Sequence, residues 1–251
     1  MRLFHRLVPV FVVGILVAVW WVAARPSMIF PTPDKVVIGL IELVGKGVLA
    51  QHVIASLFRV TMGYGLAVAL AIPLGSVMGW FPAAFRAFNP VIQLLRPISP
   101  IAWIPLAILT FGVSDASPTF LIFLSSFFPI VVETTSGVHL VERQYIRAAR
   151  NFEVGGFRLF RQVIFLAALP QVITGMRVGL GVAWLVVVAA EMVAINSGLG
   201  YLIIDSRNAG TRYDLVVAGM VIIGVIGYLL DLTMSRLEAL DSVRWRYSYD
   251  R

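Results

Sequence analysis

The sequence predicts an all-α polytopic membrane protein with about six transmembrane helices and both ends on the cytoplasmic side. Three observations lead there. Of 251 residues, 59% are hydrophobic and 13% charged, whereas a soluble domain is about half apolar and about a quarter charged. The apolar residues gather into runs near the ~20 residues that a helix needs to cross a bilayer. Lys and Arg then divide unevenly between alternate connections, which sets orientation.

The first run covers residues 7–24. A secretory signal is the competing reading, because Val22 and Ala24 suit a cleavage site. The run is about twice the length of a signal core, and it contains Trp20-Trp21, a pair suited to an interface. An uncleaved first helix is expected. Further runs lie at 54–80, 88–112, 117–139, 171–195 and 214–236. Pro73 and Pro129 fall inside the second and fourth, and Pro97, Pro100 and Pro105 interrupt the third. Proline in a span frees carbonyls that neighbours must satisfy, so these helices are expected inside a bundle. Gly75 with Gly79, and Gly175 with Gly179, form small-xxx-small pairs that let helices approach closely. One transmembrane domain over 1–251 is expected.

With the N-terminus inside, the inner segments hold twelve Lys or Arg and the outer segments five. Arg59, Arg96 and Arg177 fall within or beside spans. The resulting topology is N-in, C-in. Net charge is +7, but its scatter between apolar runs suits membrane loops better than nucleic acid. The absence of cysteine excludes disulfides and thiolate chemistry. His5, His52 and His139 lie too far apart in sequence to form a recognisable metal-ligand spacing. Gly45-Lys46 lacks the other residues of a phosphate-binding loop, so any ATP must be bound elsewhere.

The long inner connection, 139–170, carries five arginines. Ile146, Ala149 and Phe152 recur at helical spacing, with Arg143, Arg147 and Arg150 on another face. Gly155-Gly156 breaks this helix, and a second follows from Phe157. Two short helices joined near 153–156 are expected within 141–166. Such an apolar stripe fits a partner's groove or the lipid interface, with its arginines on anionic headgroups. The residues alone leave both open.

Few polar groups lie in the runs. Arg96 is placed about two turns into the third helix, near Ser99 and Trp103, where it meets an anion or snorkels to the surface. Arg59 and Glu191 each fall near the outer end of a span, and opposite charges at one depth predict an ion pair, as part of an outer gate. The other reading sends each separately to headgroups or water. An ion-coupled carrier or channel is the alternative function, with Glu133, Glu191 and Asp231 as sparse coupling acids. A membrane-embedded enzyme lacks a nucleophile–base set.

Arg147-Ala148-Ala149, followed after eighteen residues by Ala168-Leu169-Pro170, resembles the EAA loop of ABC-importer permeases. The stretches SLFRVTMGYGLAVALAIPLGSVMGW (56–80), RPISPIAWIPLAILTFG (96–112) and LPQVITGMRVGLGVAWLVVVAAEMVAINSGLG (169–200) resemble the nitrate/sulfonate/taurine group. The resemblance covers roughly residues 50–240. It implies a type I importer permease in a bacterial inner membrane, with a loop at about 140–168 docking on an ATPase through Ile146, Arg147, Ala148, Ala149, Glu153, Gly155 and Gly156. It further implies a second permease copy, two ATP-binding subunits that hold ATP and Mg, and an external solute-binding protein. No cofactor is implied in this chain. The cargo implied is a small solute such as nitrate, bicarbonate or a sulfonate. Two residues depart from the pattern. Glu153 stands where the family has glycine and Leu166 where it usually has proline, so a shift of the turn toward Gly155-Gly156 is expected.

Overall fold

The computed structural model describes residues 2–27, 29–208, 210 and 212–238, with side chains from Phe11 onward in the first helix. Arg244, Arg246 and Arg251, which enter the charge count, lie outside the described residues. So do the side chains of Arg2, His5 and Arg6.

The described residues form helices and connections without a strand. In chain order the α-helices are α1 (Arg2–Ala24), α2 (Pro33–Gly45), α3 (Val48–Trp80), α4 (Pro82–Leu95), α5 (Ile104–Phe111), α6 (Ala116–His139), α7 (Arg143–Asn151), α8 (Gly156–Leu159), α9 (Phe165–Ala194), α10 (Leu199–Asn208) and α11 (Tyr213–Glu238). A 3-10 turn, Pro100–Trp103, precedes α5, and a π turn, Phe160–Ile164, joins α8 to α9.

Among the described residues four helices are long and apolar enough to span, and α4 with the 3-10/α5 segment makes a fifth if that bent pair is one span. α1 runs for 23 residues along the first predicted run. α3 has 33 residues, about 50 Å at the 1.5 Å rise of a helix. It begins six residues before the predicted span because helical backbone continues through polar Gln51 and His52 beyond the apolar run.

The core is a layer of three helices with α6 in the middle, packed along much of its length on α3 and α9. The glycines account for the close approach. A Cβ on Gly75 would lie 2.7 Å from Thr134 Cβ, and one on Gly175 would lie 2.6 Å from Glu133 Cβ. α11 lies outside this layer and packs on α9, α10 and α2.

Two expectations need correction. The third run is not one straight helix: its halves meet at 86°. Pro97, Pro100 and Pro105 supply no amide hydrogens there, and Ser99, ahead of Pro100, is extended at φ −57°, ψ 130°. The second loop helix is not a separate short element either. It runs through the π turn into α9 as one 39-residue helical stretch, Gly156–Ala194. α2 and α10, the helices of the outer connections, are too short and too mixed in pattern to be read as spans.

Candidate functional site

At the inner end, α7 projects with no buried residue. Ile146 and Ala149 turn toward the body and pack with Val138, Leu159, Ile164 and Ala168. Arg147 and Ala148 face outward. The predicted stripe is therefore split. Phe152 caps α7 at φ −95°, ψ 20°, leaves the helical face and is 82% exposed. Ala149 is half-covered by this cluster, so Ala148 and Arg147 form the open face. Glu153 is exposed at the tip, and its φ is 59°. The turn runs from Glu153 to Gly156, both left-handed, where the two helices were expected to join. Glu153 itself takes the left-handed conformation that favours glycine. Gly155 is extended at φ −133° and caps α8, which begins at Gly156 with φ 56°. Leu166 lies exposed in an unbroken α9.

At the outer end, the structure joins Arg59 of α3 and Glu191 of α9, as their depths predicted. Arg59 Nη1 donates to Glu191 Oε1 at 2.6 Å. Their side chains are 2% and 0% exposed. Ser56, three residues before Arg59 and on the same helix face, donates to both carboxylate oxygens at 2.8 and 2.9 Å. The amide of Gly200 donates to Oε2 at 3.0 Å, so the N-terminus of α10 also directs its positive end at the carboxylate. Arg59 reaches further: Nη1 donates to the Ser197 carbonyl at 3.0 Å, Nη2 bonds the Ser197 hydroxyl, and Nε donates to Asp115 at 2.8 Å. Asp115 begins α6 and its side chain is 63% exposed. The amide of Leu199 donates to Ser56 Oγ at 2.9 Å and that of Gly198 to His52 Nδ1 at 3.0 Å.

This network straps the α9–α10 connection, residues 195–198, across α3. Gly198 allows it: its φ is 101°, and a Cβ there would lie 2.2 Å from the Glu191 carboxylate. Sequence reasoning missed Ser56, Asp115, Ser197, Gly198 and Gly200. Ser56 carried a signal, its i, i+3 spacing from Arg59. Gly198 and Gly200 lay within a quoted stretch without a role.

The remaining candidates separate. Arg96 ends α4 and Ser99 lies in the bend, both exposed. Arg96 follows the last residue of α4, Leu95, at the break of the third run rather than inside one continuous helix. Trp103 packs half-buried against Ile104, Ala107, Leu121, Val186 and Ala190. Of the other acids, Glu133 accepts a hydrogen bond from Gln171, and Asp231 with Glu238 pairs with Arg177 at 2.7 and 2.8 Å. Among the described residues no His, Asp or Glu group is arranged to hold a metal. Outside the spans, Arg212 and Lys46 flank Glu42, each at 2.6 Å. They hold its carboxyl down at about 2, Arg212 contributing most.

The described residues thus form a layered helical bundle of membrane-spanning type, with a projecting, arginine-rich loop at one end and a pinned connection at the other. The chain belongs to the family described as binding-protein-dependent transport system inner membrane component, whose model matches residues 71–240. It is a multi-pass inner-membrane permease of an ABC importer, and as such works with an ATPase and a binding protein. It is 40% identical to a putative ABC transporter permease of Methanocaldococcus jannaschii, over 90% of this chain and 87% of that one. It is 35% identical to the taurine transport permease TauC of Escherichia coli (90% and 85% covered). It is 32% identical to the nitrate import permease NrtB of Synechocystis (92% and 88%). A structure of the MetNI methionine ABC transporter in inward-facing conformations shares the fold, with TM-score 0.66 at 15% identity over 76% of this chain and 94% of that one. This membership favours a transport subunit over the ion-coupled carrier and the membrane-embedded enzyme.

Proposed function

We propose that this permease moves a small oxyanion inward, of the chemical class that includes nitrate, bicarbonate and the sulfonates. The observation that carries this is the near full-length similarity to permeases named for taurine, nitrate and aliphatic sulfonates, cargoes that share a compact, oxygen-rich anionic group. Two copies of the chain enclose the pathway. Two ATP-binding subunits, which hold ATP and Mg, engage the α7 loop through Arg147, Ala148 and the Glu153 turn. An external binding protein delivers the solute to the outer face.

In this reading the chain is a conformational machine with no catalytic residues. ATP binding draws the two loops together and opens the bundle outward, and hydrolysis with release returns it inward. The coupling is differential affinity of the ATPase for two states of the bundle. The outer network keeps the 195–198 connection in one piece with α3 and α9 while those helices move. Arg96 and Ser99, at the bend of the broken span, face the pathway.

The test is a binding screen on the cognate solute-binding protein with nitrate, bicarbonate, taurine and an alkanesulfonate, followed by ATP-dependent uptake of the best ligand into proteoliposomes holding the whole complex. Binding and uptake of one of these anions is expected. Failure of all four, with binding only of a solute that carries no oxyanion group, would overturn the assignment.

A further inference from the structure

We infer that an anionic phospholipid of the inner leaflet occupies a cleft between the end of α3 and the start of α9, with an acyl chain inside and its phosphate on Arg161. The cleft has a volume of about 710 Å³, within the ~300–1,000 Å³ of small-ligand sites. Ile72 and Trp80 form one wall, Phe157, Phe160 and Phe165 the other, and among the described residues Arg161 is the only charged one in the lining.

The wall is built by the π turn. One extra residue per turn brings positions i and i+5 onto one face, and the rings of Phe160 and Phe165 lie 6.2 Å apart, with Trp80 5.7 Å from Phe160. A regular α-helix would place Phe160 and Phe165 well apart around its axis. Phe157 is 76% exposed at the mouth.

The chemistry of the opening selects the occupant. The mouth lies at the arginine-rich end of both spans, cytoplasmic by the charge count, where Trp80 closes α3 and suits the interface. An apolar interior below a guanidinium fits an amphiphile whose head is an anion. The loop beside it carries five arginines against Glu142 and Glu153, which favours anionic over zwitterionic headgroups. A lipid held there packs against Phe160, whose side chain also joins the cluster that seats Ile146 and Ala149 of α7. The lipid therefore braces the loop, whatever the cargo.

Trp80 supplies the test. The permease, purified with its ATPase, is placed in nanodiscs containing acyl-brominated phosphatidylglycerol or acyl-brominated phosphatidylcholine. Tryptophan quenching is compared with that of Trp80→Phe, which isolates the Trp80 share. Quenching of that share is expected at about fivefold lower mole fraction of phosphatidylglycerol, the preference that one arginine confers, and Arg161→Gln is expected to erase the difference. In the wild type, unbrominated phosphatidylglycerol should relieve the quenching and phosphatidylcholine should not, a reading that needs no variant. Equal quenching by both lipids would overturn the proposal. An unquenched Trp80 would overturn it too, showing that protein covers the cleft.

Discussion

Arg59 and Glu191 stand 132 residues apart in sequence and 2.6 Å apart in space, both side chains buried. Removing Arg59 strands the Glu191 carboxylate, at a cost of about 3–5 kcal/mol, whereas removing Glu191 leaves Arg59 on Asp115. Arg59→Ala is expected to destabilise the purified complex by that order, Glu191→Ala by less because Asp115 still pairs with Arg59, and both to abolish uptake. The double variant should lose much less than the sum. A thermal-unfolding double-mutant cycle measures the coupling, and additive losses would show that the pair does not act as a unit.

Gly198 is constrained twice, by its φ of 101° and by the carboxylate that a Cβ would meet at 2.2 Å. Gly198→Ala should cost about 1–3 kcal/mol from the backbone conformation alone, and more as Glu191 is displaced. Gly181, with open space at its Cβ position, is the control, and Gly181→Ala should leave the melting temperature nearly unchanged.

The α7 loop separates coupling from folding. Ala148 is exposed and Ala149 packs inward, so Ala148→Arg is expected to reduce ATP-driven uptake strongly while membrane insertion and thermal stability stay at wild-type levels. Ala149→Arg should disturb both. Normal uptake by an Ala148→Arg complex would remove this face from the docking role. At the tip, Glu153→Gly should stabilise the turn by about 1 kcal/mol, since the left-handed conformation penalises a side chain.

Glu42 predicts an acid dependence of the outer tether between α2 and α11. Its carboxyl sits at about 2 in the fold against an ordinary 4.5. A lowered value means that the stabilisation is complete above about 4.5 and disappears as pH falls toward 2. The difference in melting temperature between wild type and Glu42→Gln should therefore be constant at neutral pH and shrink below about pH 4.5. A difference that persisted unchanged at pH 2.5 would contradict it.

Orientation is checked by reporter fusions. A fusion after Lys46 should report the outside and one after Arg150 the inside, because the charge count favours that arrangement twelve to five. An external signal after Arg150 would invert the topology.

Helix content, the spans at α3, α6, α9 and α11, the exposed α7 and the meeting of Arg59 with Glu191 were legible in the sequence. Each follows from a one-dimensional property: apolar run length, helical spacing, or depth counted from a span end at a fixed rise per residue. What the tertiary structure alone decided lies where the chain departs from such counting. The third span breaks between Leu95 and Pro100 because successive prolines withhold the amides that would carry the helix on. Phe152 leaves the α7 stripe because the helix ends one residue before it. Glu153 adopts a glycine-like backbone because Ile146 and Ala149 on one side and Leu159 on the other are fixed in a single apolar cluster, and the turn must close between them. Gly200 joins the Arg59–Glu191 pair because a buried carboxylate needs more donors than one guanidinium gives, and Ser197 joins it by accepting further guanidinium hydrogens. The Gly200 amide and the Ser197 oxygens come within reach only after α3, α9 and α10 have packed.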